Sequence, residues 1–433
     1  MTRTLSAISV IIILILSGCA GSGELAERET PAFDDYMSYS NSITPEYLRS
    51  HLEIFASDSL MGRNTGTDGE EMAANYIISQ YQQMGITPKG TNGSYLQPFM
   101  LNAERTDSLV YNVYTVENGD TLTHHKSAVS NGSPGEFIRL FGGAAPVNSE
   151  IIFGGFGVND PQHGVNHVDA DMMQGKWVLL FADYPTVVDG DTLISPAISN
   201  NARIGNLFGQ ADVGGVLVVS ADENSQFTRA AEVNSRLIDQ PSNMRLQYLD
   251  NSGSQGGFPK SYTQISPQLA ADILGLESTR DLYTLRGEVA DGITDFTPEP
   301  TGYNLNYRPH SGTVEVQSEN IIAYIEGSDP ELKDEVVVLM GHDDHIGLSM
   351  PDESGDMINN GADDNGSGSI ALLTITEALQ NAKNDGVGLD RSVMILHVSG
   401  EEKGLFGSRY YSDRPVVLIE QTVTVFITDM IGR

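Results

Sequence analysis

Over residues 320–433, short aliphatic runs alternate with a helical stretch, and the runs lead into clusters of acidic residues and glycine. Asn320 to Ile325 reads as a strand. Val336 to Met340 reads as another and leads into GHDDHIGL at 341–348. GADDNGSGS at 361–369 opens a helix over Ser367 to Leu379, with Ile370, Leu373, Ile375 and Leu379 apolar. Ser392 to Val398 leads into SGEEKGLFGS at 399–408, and Thr422 to Ile427 into FITDMIGR at 426–433. Uninterrupted apolar strands that alternate with a helix predict an α/β sheet covered on both faces. In such sheets ligands gather at the carboxyl ends of the strands. All four acidic clusters fall at strand ends or in the loop that opens the helix.

Each cluster has an ordinary explanation when taken singly. His342 and Asp344, two apart after a strand, point the same way. The histidine can ligate a metal while the carboxylate orients it, although an isolated HxD is usually surface. Asp363 and Asp364 precede a helix N-terminus, where negative charge is favoured. A carboxylate there can equally bridge two metals. Glu401 and Glu402 repel each other unless a cation or proton compensates. One can serve as a metal ligand and the other as general base, or both can form an exposed acidic turn. Asp429 closes the last strand. The combination is more specific than any member.

The four motifs, in order, resemble the HxD, GAxDNxSG, EExGLxGS and DMxG pattern of the co-catalytic di-zinc aminopeptidases. This is the family of aminopeptidase S, bacterial leucyl aminopeptidase and glutamate carboxypeptidase II. Leu60-Met61-Gly62-Arg63 and Gly66-Thr67-Asp68-Gly69-Glu70 are similar to the family's N-terminal segment. Residues 149–274 resemble a protease-associated (PA) insert, through Glu150 to Val158, Gly175 to Leu179 and Ala211 to Val219.

The resemblance implies a three-layer α/β catalytic domain with a mainly parallel central sheet, interrupted by a β-rich α/β PA domain. The peptidase domain would run over 41–125 and 301–433, with the insert over 126–300. Asp364 would bridge two Zn2+ ions. His342 and Asp429 would complete one site and Glu402 the other. Glu401 would be the general base and Asp344 would orient His342. His345 lies nearby but is not a ligand in the family pattern.

The implied activity is zinc-dependent removal of N-terminal residues from peptide or protein substrates, through a metal-bridging hydroxide. The family's second zinc also takes a histidine from beyond the DMxG strand, and no such histidine follows Asp429 here. His397 sits inside a strand and is a poor substitute. The expectation is a C-terminally incomplete domain whose last strand would be an aggregation hazard. Two alternatives follow, a one-zinc or non-catalytic form and a glutaminyl cyclase-like acyltransferase. The large insert argues against the latter.

Other features bear on location and partners. Ile8 to Leu16 is an aliphatic run after Arg3, too short to span a bilayer as a helix. Leu16-Ser17-Gly18-Cys19 resembles a bacterial lipobox and contains the chain's only cysteine. Residues 1–18 are therefore expected to be a lipoprotein signal peptide, Cys19 the lipidated residue, and 19–40 a flexible tether. The expected place is the outer membrane, facing the periplasm or the surface. A net charge of −34 argues against a nucleic-acid partner. Oligomeric state is not legible. Thr44-Pro45 starts one helix carrying Leu48, Leu52 and Phe55. Gly69 to Met84 forms a second, with Ala73, Tyr76, Ile77 and Tyr81 on one face and Gly85 as its cap. Strands are expected at Glu150 to Phe153, Trp177 to Phe181 and Gly215 to Val219, with a helix over 201–213. His124, His125, His163 and His167 read as surface histidines.

Overall fold

The computed structural model describes residues 33–188, 191–220, 224–249, 258–352 and 354–432. The signal segment, Cys19 and the first part of the tether lie outside the described residues. Phe33–Ser40 (α1), read as the end of a tether, is instead a helix, and the Tyr39 hydroxyl donates to Asp385 Oδ2 at 2.9 Å. Pro45–Phe55 (α2) begins where Thr44 Oγ1 accepts the Tyr47 N–H at 3.2 Å. Asp68–Met84 (α3) ends on Gly85 at φ 69°, a left-handed cap that glycine adopts without steric cost.

The strands that position the site are Leu96–Glu117 (β1), Asp120–Ser130 (β2), Phe137–Gly142 (β3), Val147–Phe153 (β4), Trp177–Phe181 (β5), Gly215–Val219 (β6), Ser261–Ile265 (β7), Glu299–Ile325 (β8), Val336–His342 (β9), Ser392–Val398 (β10) and Thr422–Ile427 (β11). They share one mixed sheet in the order β11-β9-β10-β8-β4-β5-β6-β7-β3, with β1 alongside β8 and β2 alongside β1. β9 runs parallel to both β10 and β11. β4, β5, β6 and β7 form a second parallel group. β8 lies antiparallel to both groups and is 27 residues long. Its first part pairs with β4 and its last five residues, Ile321 to Ile325, pair with β10.

The hydrophobic cores separate along this ribbon. Around β4 to β6, Trp177, Leu179, Phe181, Leu217 and Ile151 pack with Tyr111 and Tyr307. Around β9 and β10, one sheet face meets Phe55, Ala73, Ile77 and Tyr81 from α2 and α3, and Ile370 and Leu373 from Gly368–Asn384 (α4). The opposite face packs Val336, Val338, Met394 and Leu396 against Tyr411 and Val417. The result is three layers, with β10 buried along its whole length. Burial of each large apolar side chain here contributes on the order of 1.5–3 kcal/mol. β11 is the exception: Val423, Val425, Phe426 and Ile427 are exposed.

One surface expectation is corrected. His167 is fully buried, because its ring stacks with Phe156 and packs on Phe296. Its Nδ1 accepts the Phe156 N–H at 3.1 Å, and Nε2 lies 2.8 Å from Ile293 O. Among the described residues, no helix is long and apolar enough to cross a membrane.

Candidate metal centre

The parallel register pairs Met340 with Ile427 and His342 with Val398. It levels the carboxyl ends of β9, β10 and β11, so the loops carrying His342, Glu401 and Asp429 converge. The turn Ala362–Ser367 before α4 adds Asp364. Two features hold this turn. Gly361 has φ 58°, and a Cβ there would meet the His345 ring at 2.6 Å, so the close approach needs glycine. Asn365, fully buried, donates from Nδ2 to Thr428 O at 2.9 Å. Its Oδ1 accepts the N–H groups of Gly368 at 3.1 Å and Met430 at 3.2 Å. It thereby ties the segment holding Asp429 to the start of α4.

His342 is buried, and its Nε2 faces three carboxylates: Asp364 Oδ1 at 3.3 Å, Asp429 Oδ1 at 3.7 Å and Glu401 Oε2 at 4.0 Å. On the other side of the ring, Nδ1 lies 3.1 Å from Asp344 O and 3.6 Å from Asp344 Oδ1. Burial opposes the charged imidazole, but Asp344, Glu401 and Asp429 outweigh it and raise His342 to about 9. The same carboxylates would present a negative field to a cation. Burial, together with the neighbouring carboxylates, also holds Glu401 above the usual range, against the opposing pull of His342.

Two groups of donors have atoms all within 4.8 Å of one another: His342 with Asp364 and Asp429, and His345 with Asp364 and Glu402. Each offers one imidazole and two carboxylates, a donor set suited to zinc. Asp364 is common to both. The residues present fit a pair of metals.

The sequence-predicted residues His342, Asp344, Asp364, Glu401, Glu402 and Asp429 are thus brought to one place. Cys19 lies outside the described residues. His397 is away from the ligand groups, buried with Nε2 2.6 Å from the Tyr81 hydroxyl. His345, set apart by the sequence pattern, has Nδ1 2.7 Å from Glu402 Oε1. Its signal was its place one residue past the HxD motif.

Asp344 was expected to orient His342, but the buried groups around it were missed. Asp344 is fully buried and accepts from Thr65 Oγ1 at 2.9 Å and from the Glu401 N–H at 3.1 Å. Glu70 is buried and accepts from Ser318 Oγ at 2.6 Å, and also from Ser399 Oγ and the Gly66 N–H. Burial raises Glu70 to about 7 despite those bonds. Asp343 is buried between the two motif residues, and neither of its carboxyl oxygens has a hydrogen-bond partner. Burial, with Glu70 and Asp344 close by, pushes Asp343 well above the carboxylate range, which favours the neutral acid.

Residues 320–433 match peptidase family M28. Leucine aminopeptidase 2 of Trichophyton equinum is 37% identical over 174 residues, covering 37% of this chain and 30% of that protein. The chain thus spans less than a third of the length of that curated relative. Among solved structures, the aminopeptidase from Aneurinibacillus sp. strain AM-1 aligns with a TM-score of 0.42 at 15% identity, covering 92% of this chain and 73% of its own. A peptidase M28 precursor from Shewanella amazonensis SB2B aligns with a TM-score of 0.44 at 14% identity, covering 92% of this chain and 74% of its own. The segment that carries His342, Asp364, Glu401, Glu402 and Asp429, residues 320–433, belongs to peptidase family M28.

Proposed function

We propose that this chain is a zinc-dependent aminopeptidase that cleaves N-terminal residues from peptides. The observation that carries the reading is the pair of donor groups sharing Asp364, with Glu401 beside them and bound to neither group. His342, Asp364 and Asp429 would hold one ion; His345 or a further ligand, with Asp364 and Glu402, would hold the second. Zinc in such a site supplies Lewis acidity toward a carbonyl and makes a water acidic near neutral pH. Glu401 is partly open to solvent and is held above the usual carboxylate range, chiefly by burial. This suits it to take a proton from the attacking water and return it to the leaving amine. Asp344 keeps the His342 imidazole in register through its carboxylate and fixes the Glu401 backbone.

The same reading extends to the rest of the chain. The β4–β7 region, with its own hydrophobic core, is supported as a PA-type insert by the motifs within 149–274. The lipobox-like Leu16 to Cys19 supports export and a lipid anchor in a bacterial outer membrane. Incorporation of labelled palmitate, lost in Cys19→Ala, tests the anchor.

The activity is tested by hydrolysis of leucyl-p-nitroanilide by the full chain and by Glu401→Gln. The expected loss is about 10²- to 10⁴-fold, with zinc content unchanged. Equal rates would sink the assignment.

A further inference from the structure

Arg63 belongs to the Leu60-Met61-Gly62-Arg63 segment and sits far in sequence from every candidate ligand, yet it is fully buried where the two metal-bearing loops meet. Its guanidinium spends its donors on backbone carbonyls. Nε donates to Asp343 O at 3.0 Å. Nη1 donates to Asn360 O at 2.6 Å and Phe55 O at 2.9 Å, and Nη2 to Gly361 O at 2.9 Å. Asp343 lies between His342 and Asp344. Asn360 and Gly361 lead directly into the turn that carries Asp364. The contact is reciprocal, since the His345 N–H donates to the Arg63 carbonyl at 3.0 Å. The Phe55 ring, 4.5 Å from the guanidinium carbon, fixes its plane.

A buried guanidinium is costly to desolvate, and the nearby carboxylates would be the obvious partners. Here three of the four bonds go instead to carbonyls on the two loops that carry the candidate ligands, and the fourth goes to Phe55 O at the end of α2. A planar fork with five donors fixes the distances between such carbonyls, which a lysine ammonium cannot reproduce. Because Asp364 is shared by both donor groups, any slip between the loops disturbs both at once.

We propose that Arg63 is a positioning residue that sets the spacing between the His342–His345 loop and the Asn360–Asp364 loop, and with it the affinity of both metal poles. The proposal rests on the metal reading above. Its test uses the full chain. Metal-free wild type is followed by hydrogen exchange with and without zinc. Zinc is expected to slow exchange in residues 58–66, which supply no ligand, in step with 342–345 and 361–366. Protection at the ligand loops with none at 58–66 would overturn the proposal. If the ligand loops gain no protection either, the metal reading itself has failed.

Arg63→Lys and Arg63→Met are then compared by zinc competition against a chromophoric chelator. Folded variants are expected to bind zinc about 10- to 100-fold more weakly, with lysine recovering part of the loss. Wild-type zinc affinity in either folded variant would overturn the proposal, and if neither variant folds the exchange experiment decides.

Discussion

Asp344 Oδ1 accepts a 3.1 Å hydrogen bond from the Glu401 backbone N–H, so the carboxylate beside the His342 imidazole also anchors the turn that carries both glutamates. With Thr65 Oγ1 on its other oxygen, Asp344 is held on both sides and has no freedom to serve as a ligand itself. Asp344→Asn keeps the shape but removes the charge, and one of its two oxygen acceptors becomes an amide donor. The expected result is a fall of about 10- to 100-fold in kcat, with KM changed little. An unaltered kcat would mean that Asp344 orients nothing of consequence.

His345 makes a second claim on the site. Its Nδ1 is 2.7 Å from Glu402 Oε1, and it lies with Asp364 and Glu402 in a group of donor atoms within 4.8 Å. His345→Gln is expected to lower the zinc content of the full chain by about one ion while leaving the His342 group loaded. Elemental analysis after dialysis checks this. A variant that retains the wild-type zinc count would remove His345 from the ligand set.

Six of the seven strands in the two parallel groups were legible because glycine or charge brackets each apolar run, whereas β1, β2, β3 and β7 were not placed. Trp177–Phe181, Gly215–Val219, Ser392–Val398 and Thr422–Ile427 fall where the sequence places them. β8 was legible only in its last few residues. Upstream, from Glu299, half-exposed polar positions break the apolar run, and pairing with β1 and β4 holds the backbone extended instead. The ligands could be read because each sits at the end of a recognisable element. Arg63 could not, because its work depends on loops about 280 residues away that only the folded chain brings to it. His167 misled for a related reason: Asn166 and Asp169 beside it suggested a polar turn, while the rings that bury it, Phe156 and Phe296, come from elsewhere.

Zinc binding should release protons. In the metal-free chain burial disfavours the charged His342, yet its carboxylate neighbours raise it to about 9, so at pH 7–8 its imidazole carries a proton that a metal must displace. Affinity is therefore expected to rise with pH up to about 9. Calorimetric titrations at pH 7.5 in buffers of different ionisation enthalpy should report about one proton released per chain from this group. No proton release would contradict the charged state of His342.

Acid should act through His397. Burial takes it down to about 3, below the ordinary value near 6.5. A depressed histidine stabilises the fold above its unfolded value. The unfolded chain takes up a proton below about 6.5 that the folded chain refuses until about 3, so this stability is lost progressively as pH falls through that window. The effect is on the order of a few kcal/mol by the lower end. Urea unfolding of the metal-free chain between pH 7 and 4 is expected to show a shallower slope in His397→Gln, which can still bond the Tyr81 hydroxyl. An unchanged slope would place the acid lability elsewhere.

Phe426 and Ile427 are 58% and 65% exposed on β11, beside Val423 and Val425 at 52% and 44%. β11 pairs with β9 on one side, and an exposed apolar strand edge is a template for pairing with another chain. A charge on such an edge opposes that pairing by desolvation and repulsion. The chain 1–433 is expected to self-associate with rising concentration, and Phe426→Lys to shift light scattering and sedimentation toward the monomer. Phe426 supplies no metal donor, so the zinc content of the variant should match the wild type. Equal self-association in both would show that the apolar β11 surface is not what brings the chains together.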